Sequence, residues 1–491
     1  MARKNSIRVD IIEVIATQLN LLESCGLPIL IKYLTKLGFF RALCRYLPVS
    51  RSNSGYGADV YVKTLWALKL LYPDVNAPLS RIDEMRKSKA VLRALQINSM
   101  PYSGAVGDWL RRMGNCECIA TAIDKSAILG GYADGLERMQ ELFYGVTNAI
   151  MKTMGKELGD TLDFDASCIY GGKSCDRWMY NKETGSMSYL GFMGRLCVMA
   201  ELEYGNHSPH DHINQRIGSC ISMAQMSGHE VNTVRSDSAG YQGDVINACM
   251  EAGRTFYVRA DADCSVKSAC DRIRDWKLYD VAMSKDKTNQ HEMGAIVHTM
   301  GNTKEAFTLV VKRVASKESL GHQPQLPELD GPVWNYCCVA TNNTVARTVD
   351  DDGLTPGQVE EIYNNHADVE NRIKQLKSDA GIGRLSTSKL DANRVYVYIM
   401  ALLHNMNELF KFQCLPGSFK TKRLPTIMRE LFSVPGKITL RAHKMIVDLP
   451  VYMRHLVIVY RDILRIIKQD VRALCISASP PAYAEMIYRN N

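Results

Sequence analysis

A mixed α/β sheet, entered from a helical N-terminal region and followed by a β-rich segment and a basic C-terminal region, is the fold class this chain predicts. Three observations carry it. Apolar residues recur at helical spacing up to about residue 150. From Asp160 the order becomes strand, hairpin, strand, helix, strand. A β-rich stretch then gives way to helix again before a run of Lys and Arg.

Taken in order, "IIEVIATQLNLLESCGLPILIKYLTKLGFFRALCRYL" and "YVKTLWALKLLY" carry the helical spacing, with Gly and Pro as punctuation. Ser103 is the expected N-cap of "AVGDWLRRM". "TLDFDAS" reads as a strand, "SYLGFMGRLCVMAELEYG" as a hairpin, "HEVNTVRSD" as a strand, "YQGDVINACMEAG" as a helix ending at Gly253, and "RTFYVRAD" as a strand. "AIVHTM", "AFTLVVKRV" and "VWNYCCVAT" supply the β-rich stretch. Helix returns at "LTPGQVEEIY", where Thr355, Pro356 and Gln358 make a capping-box start with proline at the first helical position.

The bulk composition sets bounds. With 491 residues, 46% apolar and 23% charged, the chain can bury several cores, so two to four domains are expected. The longest uninterrupted apolar run, "VYVYIMALL", is too short to span a bilayer, and "MARKNSIRVD" has no apolar signal core, so a cytoplasmic, nucleoid-associated protein is expected. Fifteen cysteines occur without a C-x-x-C pair; Cys116-x-Cys118 and Cys337-Cys338 lack the second ligand pair of a structural zinc site, so reduced, mostly buried thiols are expected. The net charge of +8 is concentrated: Lys411 to Asp470 holds twelve Lys/Arg against four Asp/Glu. Such a surplus attracts polyanions, nucleic acid foremost.

In an open α/β sheet, reacting groups gather beyond the carboxyl ends of parallel strands. Asp165 closes "TLDFD" and Asp237 closes "VNTVRSD". Cleavage of a phosphodiester by two Mg²⁺ ions, about 3.5–4 Å apart, calls for hard oxygen ligands, which two strand-end aspartates and one helical glutamate supply. In "HADVENRIKQLKSDAG" the glutamate Glu370 is set among Arg372, Lys374 and Lys377. At about 100° per residue, a helix running unbroken through "YNNH" places Tyr363, His366, Glu370, Lys374 and Lys377 within an arc of roughly 80°, beside the apolar stripe of Ile362, Val369, Ile373 and Leu376. Strand alternation points Asp163 and Asp165 to the same face and leaves the choice between them open.

At this point a resemblance becomes specific. "IYNNHADVENRIKQLKSD" resembles the Y-x2-R-x3-E-x6-K signature of DDE transposases from bacterial insertion sequences, with Tyr363, Glu370 and Lys377 in register and His366 where arginine is usual. The downstream "GIGRLSTSKLDANRVYVYIMALLHNMNELF", the tail's "RAHKMIVDLP", "LDFDAS", "VRSDSAGY" and the loop "GNHSPHD" are similar to the same branch. The resemblance implies a ribonuclease-H-like catalytic domain in which Asp165, Asp237 and Glu370, separated by 72 and 133 residues, hold two Mg²⁺ ions, with Mn²⁺ as a substitute. It also implies phosphate or DNA contacts by Lys377, Lys374, Tyr363 and His366. Its aspartate-x-hydroxyl pattern favours Asp165, with Ser167, over Asp163.

The domains expected on this basis are a helical DNA-binding region over 1–150, a catalytic domain over 155–262 and 356–412, an inserted β-rich domain over 263–355, and a basic region over 413–491. The expected function is metal-dependent strand cleavage and strand transfer on double-stranded DNA, at terminal inverted repeats and a target, by a homodimeric synaptic complex. Alternatives are an inactive or repurposed DNA-binding protein and a nuclease without joining activity. Several residues receive plainer readings: His207, His210 and His212 structural or at the surface, Asp261 and Asp263 as turn or capping acids, and Trp276 and Trp334 as core or hairpin aromatics.

Overall fold

The computed structural model describes residues 21–22, 25–48, 55–72, 77–119, 128–278, 291–315, 334–346, 352–441 and 444–476. The chain opens with helices α1 (Leu27–Lys36), α2 (Phe39–Tyr46), α3 (Ala58–Leu71), α4 (Ser103–Met113) and α5 (Gly135–Met154). Ser103 lies one residue inside α4 rather than capping it: its N–H and hydroxyl both donate to Asp83, at 3.0 and 2.6 Å, so a neighbouring carboxylate satisfies the helix start.

The central sheet begins with β1 (Thr161–Tyr170), then the hairpin of β2 (Thr184–Met193) and β3 (Leu196–Tyr204). The hairpin turns at Gly194, whose φ of 53° and close approach to the Leu158 backbone both call for glycine. Helix α6 (Ile213–Met226), which the sequence reading passed over, leads to β4 (Thr233–Ser236); α7 (Gly243–Glu251) leads to β5 (Thr255–Ala260). The order is β3-β2-β1-β4-β5, with β1, β4 and β5 parallel and β2 antiparallel to both neighbours. This is a ribonuclease-H-like mixed sheet. Strand β2 is buried along all but its first residue, as a strand covered on both faces must be.

The β-rich segment does not stand apart as a domain. Strands β6 (His291–His298), β7 (Phe307–Ala315) and β8 (Trp334–Thr341) form a meander whose last strand pairs antiparallel with β5, making one sheet of ten strands with the short pairs Lys277–Leu278 and Arg177–Trp178. Alternating apolar residues on these strands cover a small core of their own, Met293, Val310 and Val339, against Val359. Val359 belongs to α8 (Pro356–Asn364), which starts with the expected capping box: Thr355 and Gln358 exchange side-chain and backbone hydrogen bonds.

Helix α8 ends before His366, and α9 (Ala367–Lys374) begins after it; a π-helical turn, Gln375–Asp379, follows. The continuous helix assumed from sequence is therefore interrupted at Asn365 and His366, where two asparagines weaken helix propensity. Helix α10 (Leu390–Cys414) is buried on nearly every side. Its Asn405 makes paired contacts to Cys197 of β3, accepting from the N–H at 2.9 Å and donating to the carbonyl at 2.8 Å.

The N-terminal and basic C-terminal regions, expected as separate units, pack together. Leu21–Leu22 pairs with Gly436–Arg441, which forms a hairpin with Lys444–Asp448, and α11 (Arg454–Gln469) lies against α1 and α10. Trp66 of α3 donates to the Ile399 carbonyl within α10 at 3.0 Å, and α5 packs on α10 and β3. No helix among the described residues is long and apolar enough to cross a membrane.

Candidate active site

The parallel register of β1 and β4 sets Asp163 beside Arg235 and Phe164 beside Ser236 and stops there, so that Asp165 and Asp237 follow side by side; Asp237 lies just past the end of β4, whereas Asp165, expected to close its strand, lies in the middle of β1, which runs on to Tyr170 by pairing with β2. Both are partly buried and in hydrogen-bond contact with each other. Burial, then the charge of Asp237, pushes the Asp165 carboxyl well above the ordinary range; burial also raises Asp237, against hydrogen bonds from Asp165 and from the Ala239 N–H at 3.1 Å. Two buried carboxylates in contact disfavour both being charged, which is the physical cause of both upward shifts. A divalent cation fits the same position, because both groups offer oxygen ligands and neither has a basic side chain within hydrogen-bond reach.

Lys377 lies beneath the pair, donating to the Ser167 hydroxyl at 2.6 Å and the Cys168 carbonyl at 2.7 Å. Burial lowers its pKa. The π-helical turn brings this lysine inward, while Lys374, one turn earlier, is exposed, so the two lysines do not share a face as an ideal helix predicts. Glu370 sits on exposed α9, near enough for its charge to raise Asp165 further. Among the described residues, no three His, Cys, Asp or Glu side chains close around one ion position.

Asp163 has a different environment. Only 1% exposed, it accepts from Arg235 at 2.7 and 3.0 Å, from Arg372 at 3.3 Å and lies 3.2 Å from Nδ1 of His366. Burial alone would raise its pKa, but the bonds from His366 and Arg235 outweigh it and hold the carboxyl below the usual range. Arg235 also donates to the Ile362 carbonyl at 2.9 Å, tying the end of α8 to β4. This corrects the reading of His366 as a DNA contact: it is 5% exposed, faces Asp163, and its Nε2 is buried without a partner. Tyr363 stacks on it, ring centroids 5.7 Å apart, and burial raises its phenol. Arg235 is the residue sequence reasoning missed. The signal was present, since R-x-D on one parallel strand opposes D-x-D on the next.

The plainer readings have structural counterparts. His207 pairs with Asp211 at 3.2 Å, and the His210 N–H donates to Ser208. Asp263 caps the helix Cys264–Asp271 through the Val266 N–H at 2.7 Å. Arg313 lies between Trp276 and Trp334, 4.0 and 4.2 Å from their ring centroids. The cysteines of the described residues are free thiols.

No curated protein matches the chain. Among solved structures, the chain is similar to the cryo-EM structure of the piggyBac transposase synaptic complex with hairpin DNA, with a TM-score of 0.40, 10% identity, and coverage of 84% of this chain and 79% of that one. The family model described as transposase DDE domain, group 1, matches residues 132–474, which takes in the whole sheet, both aspartate strands and α9. A match over more than two thirds of its length makes this chain a member of the DDE-domain transposases.

Proposed function

We propose that the protein is an insertion-sequence DNA transposase that binds terminal inverted repeats, cleaves at the element ends and joins the freed 3′-hydroxyl to target DNA. The observation that carries this reading is the Asp165–Asp237 pair, set side by side where the parallel pairing of β1 and β4 stops, with carboxylate oxygens that could serve as ligands for a cation. Asp165, Asp237 and Glu370 would hold two Mg²⁺, or Mn²⁺, ions. Bound there, such ions act as Lewis acids on the phosphate and lower the pKa of the attacking hydroxyl.

The chain's own groups do the rest. Asp165 and Asp237 would serve as two carboxylate ligands, their mutual repulsion relieved by the positive charge between them. Lys377, oriented by Ser167 and Cys168, supplies positive charge beside the reacting phosphate. Tyr363 and Lys374 border the site and would contact DNA. Glu370 must approach the aspartates from α9, which follows α8 through a tight turn at Asn365 and His366. Water attacks the phosphorus and the 3′-oxygen leaves, taking up a proton; that 3′-hydroxyl then attacks a target phosphate, whose own 3′-oxygen leaves with a proton, so one phosphodiester replaces another and no covalent enzyme intermediate is needed. Element ends come in pairs, which implies a homodimer in the synaptic complex.

The test is an assay with end-labelled duplexes and Mg²⁺. Wild-type protein is expected to cleave and join. Glu370→Gln should lose at least about 10³-fold in cleavage while retaining end binding. Full cleavage by that variant would sink the assignment. A second reading, a DNA-binding protein without catalysis, is favoured by the exposed position of Glu370 apart from the aspartate pair; it predicts binding without cleavage by the wild type.

A further inference from the structure

Beside α9 lies a cleft of about 320 Å³ lined by Arg195, Arg372, Lys374, Lys411, Lys420 and Arg423, with Glu408 as its one acid. These six cations come from four segments: the β2–β3 turn, α9, the end of α10 and the loop that follows it. The cleft is built rather than incidental. Arg195 donates to the Lys420 carbonyl at 2.6 Å, Lys411 donates to the Lys422 carbonyl at 3.2 Å, and Arg423 holds the buried Asp379 with an Nε contact of 2.9 Å. Lys411 is matched by Glu408 at 2.6 Å and Arg372 by Asp163 at 3.3 Å. Among the described residues, Arg195, Lys374 and Lys420 have no carboxylate partner. Like charges gathered in a concave site repel one another unless an anion covers them.

We infer that this cleft binds backbone phosphate of duplex DNA, on the flank of the same duplex whose scissile phosphate meets the aspartate pair. The inference rests on the transposase reading for its choice of anion. Proximity supports it: Lys374 lies one turn, about 6 Å, along α9 from Glu370. Arg372 reaches from the cleft to Asp163, which is two strand residues, about 7 Å, from Asp165. A duplex carries one negative charge per about 1.7 Å of axis, so a strand seated at Asp165 brings further phosphates within this span.

The test measures how the affinity of the full chain for a 30-base-pair duplex of arbitrary sequence depends on KCl. Each phosphate contact adds about 0.9 to the slope of log K against log salt. The double variant Lys374→Gln/Lys420→Gln alters two exposed or half-exposed side chains and is expected to lower the slope by about 1.8, whereas Lys374→Arg/Lys420→Arg retains it. An unchanged slope in the Gln variant, or equal loss in the Arg variant, overturns the cleft. So does saturation of the cleft by sub-millimolar inorganic phosphate with the slope intact, which marks a free-anion site. A wild type that binds duplex with the expected slopes yet never cleaves with Mg²⁺ removes the transposase reading and leaves the cleft standing.

Discussion

Asp163 and Asp165 stand two residues apart on one face of β1, and their surroundings push them in opposite directions. Asp163 is enclosed by Arg235, Arg372 and His366, and its carboxyl is held below the ordinary range. Asp165 faces a second carboxylate, and its own is raised well above that range. The first is matched inside the protein by two arginines and an imidazole; the second faces a carboxylate, with the charge of Lys377 only partly offsetting it. The difference teaches that a buried acid's role follows from which partners the neighbouring elements supply. Here Asp163 joins the three elements that carry Asp165, Asp237 and Glu370, since its partners lie on β4, at the start of α9 and within α9.

Removing each acid in turn is the sharpest way to break this contrast. Asp163→Ala leaves Arg235 and His366 buried without their acceptor, and is expected to cost about 3–5 kcal/mol, read as a lowered midpoint in urea. Asp165→Asn removes like-charge repulsion and should leave stability unchanged or higher while abolishing cleavage. If both variants unfold alike, the contrast fails.

The two acids also differ in sign with pH. Raised carboxyls at Asp165 and Asp237 stabilise the fold below the ordinary carboxylate pKa of about 4, and that contribution is lost as pH climbs through their raised values. The depressed Asp163 does the reverse: its contribution is present above about 4 and lost as pH falls through its lowered value. Melting curves in EDTA should therefore show a decline as pH rises above about 4 that Asp165→Asn flattens and that added Mg²⁺ reverses.

Smaller effects sharpen the picture. His366→Arg restores the residue usual in the transposase signature, yet in this chain it forces a larger cation beside Arg235 and Arg372; a loss of about 1–3 kcal/mol is expected, with no gain in duplex affinity. Ser167→Ala removes one of the two acceptors of Lys377 and should cost about 1 kcal/mol, because the Cys168 carbonyl remains.

Much of this was legible in the sequence because it depends on local pattern. The hairpin at Gly194, the strand that carries Asp165, the strand that stops just before Asp237, and the capping box at Thr355 are all short-range signals. What escaped depended on long-range pairing. The joining of β8 to β5, which makes the inserted strands part of the main sheet, leaves no mark in periodicity. The burial of His366 follows from Asp163, 203 residues away, and from a break in the helix at Asn365 that a uniform rotation of 100° per residue could not anticipate. The inward aim of Lys377 comes from a π-helical turn, which no propensity scale marks.

The ten-stranded sheet also bears on aggregation. A five-stranded core ending at β5 would present a row of unpaired backbone groups to other chains; pairing with β8 moves that boundary out by four strands, about 19 Å, to Lys277–Leu278. At the opposite boundary, the Asn405 side chain takes both backbone groups of Cys197, as a neighbouring strand would. The five-stranded core thus has a partner for its backbone on each side, a strand at β5 and a side chain at β3.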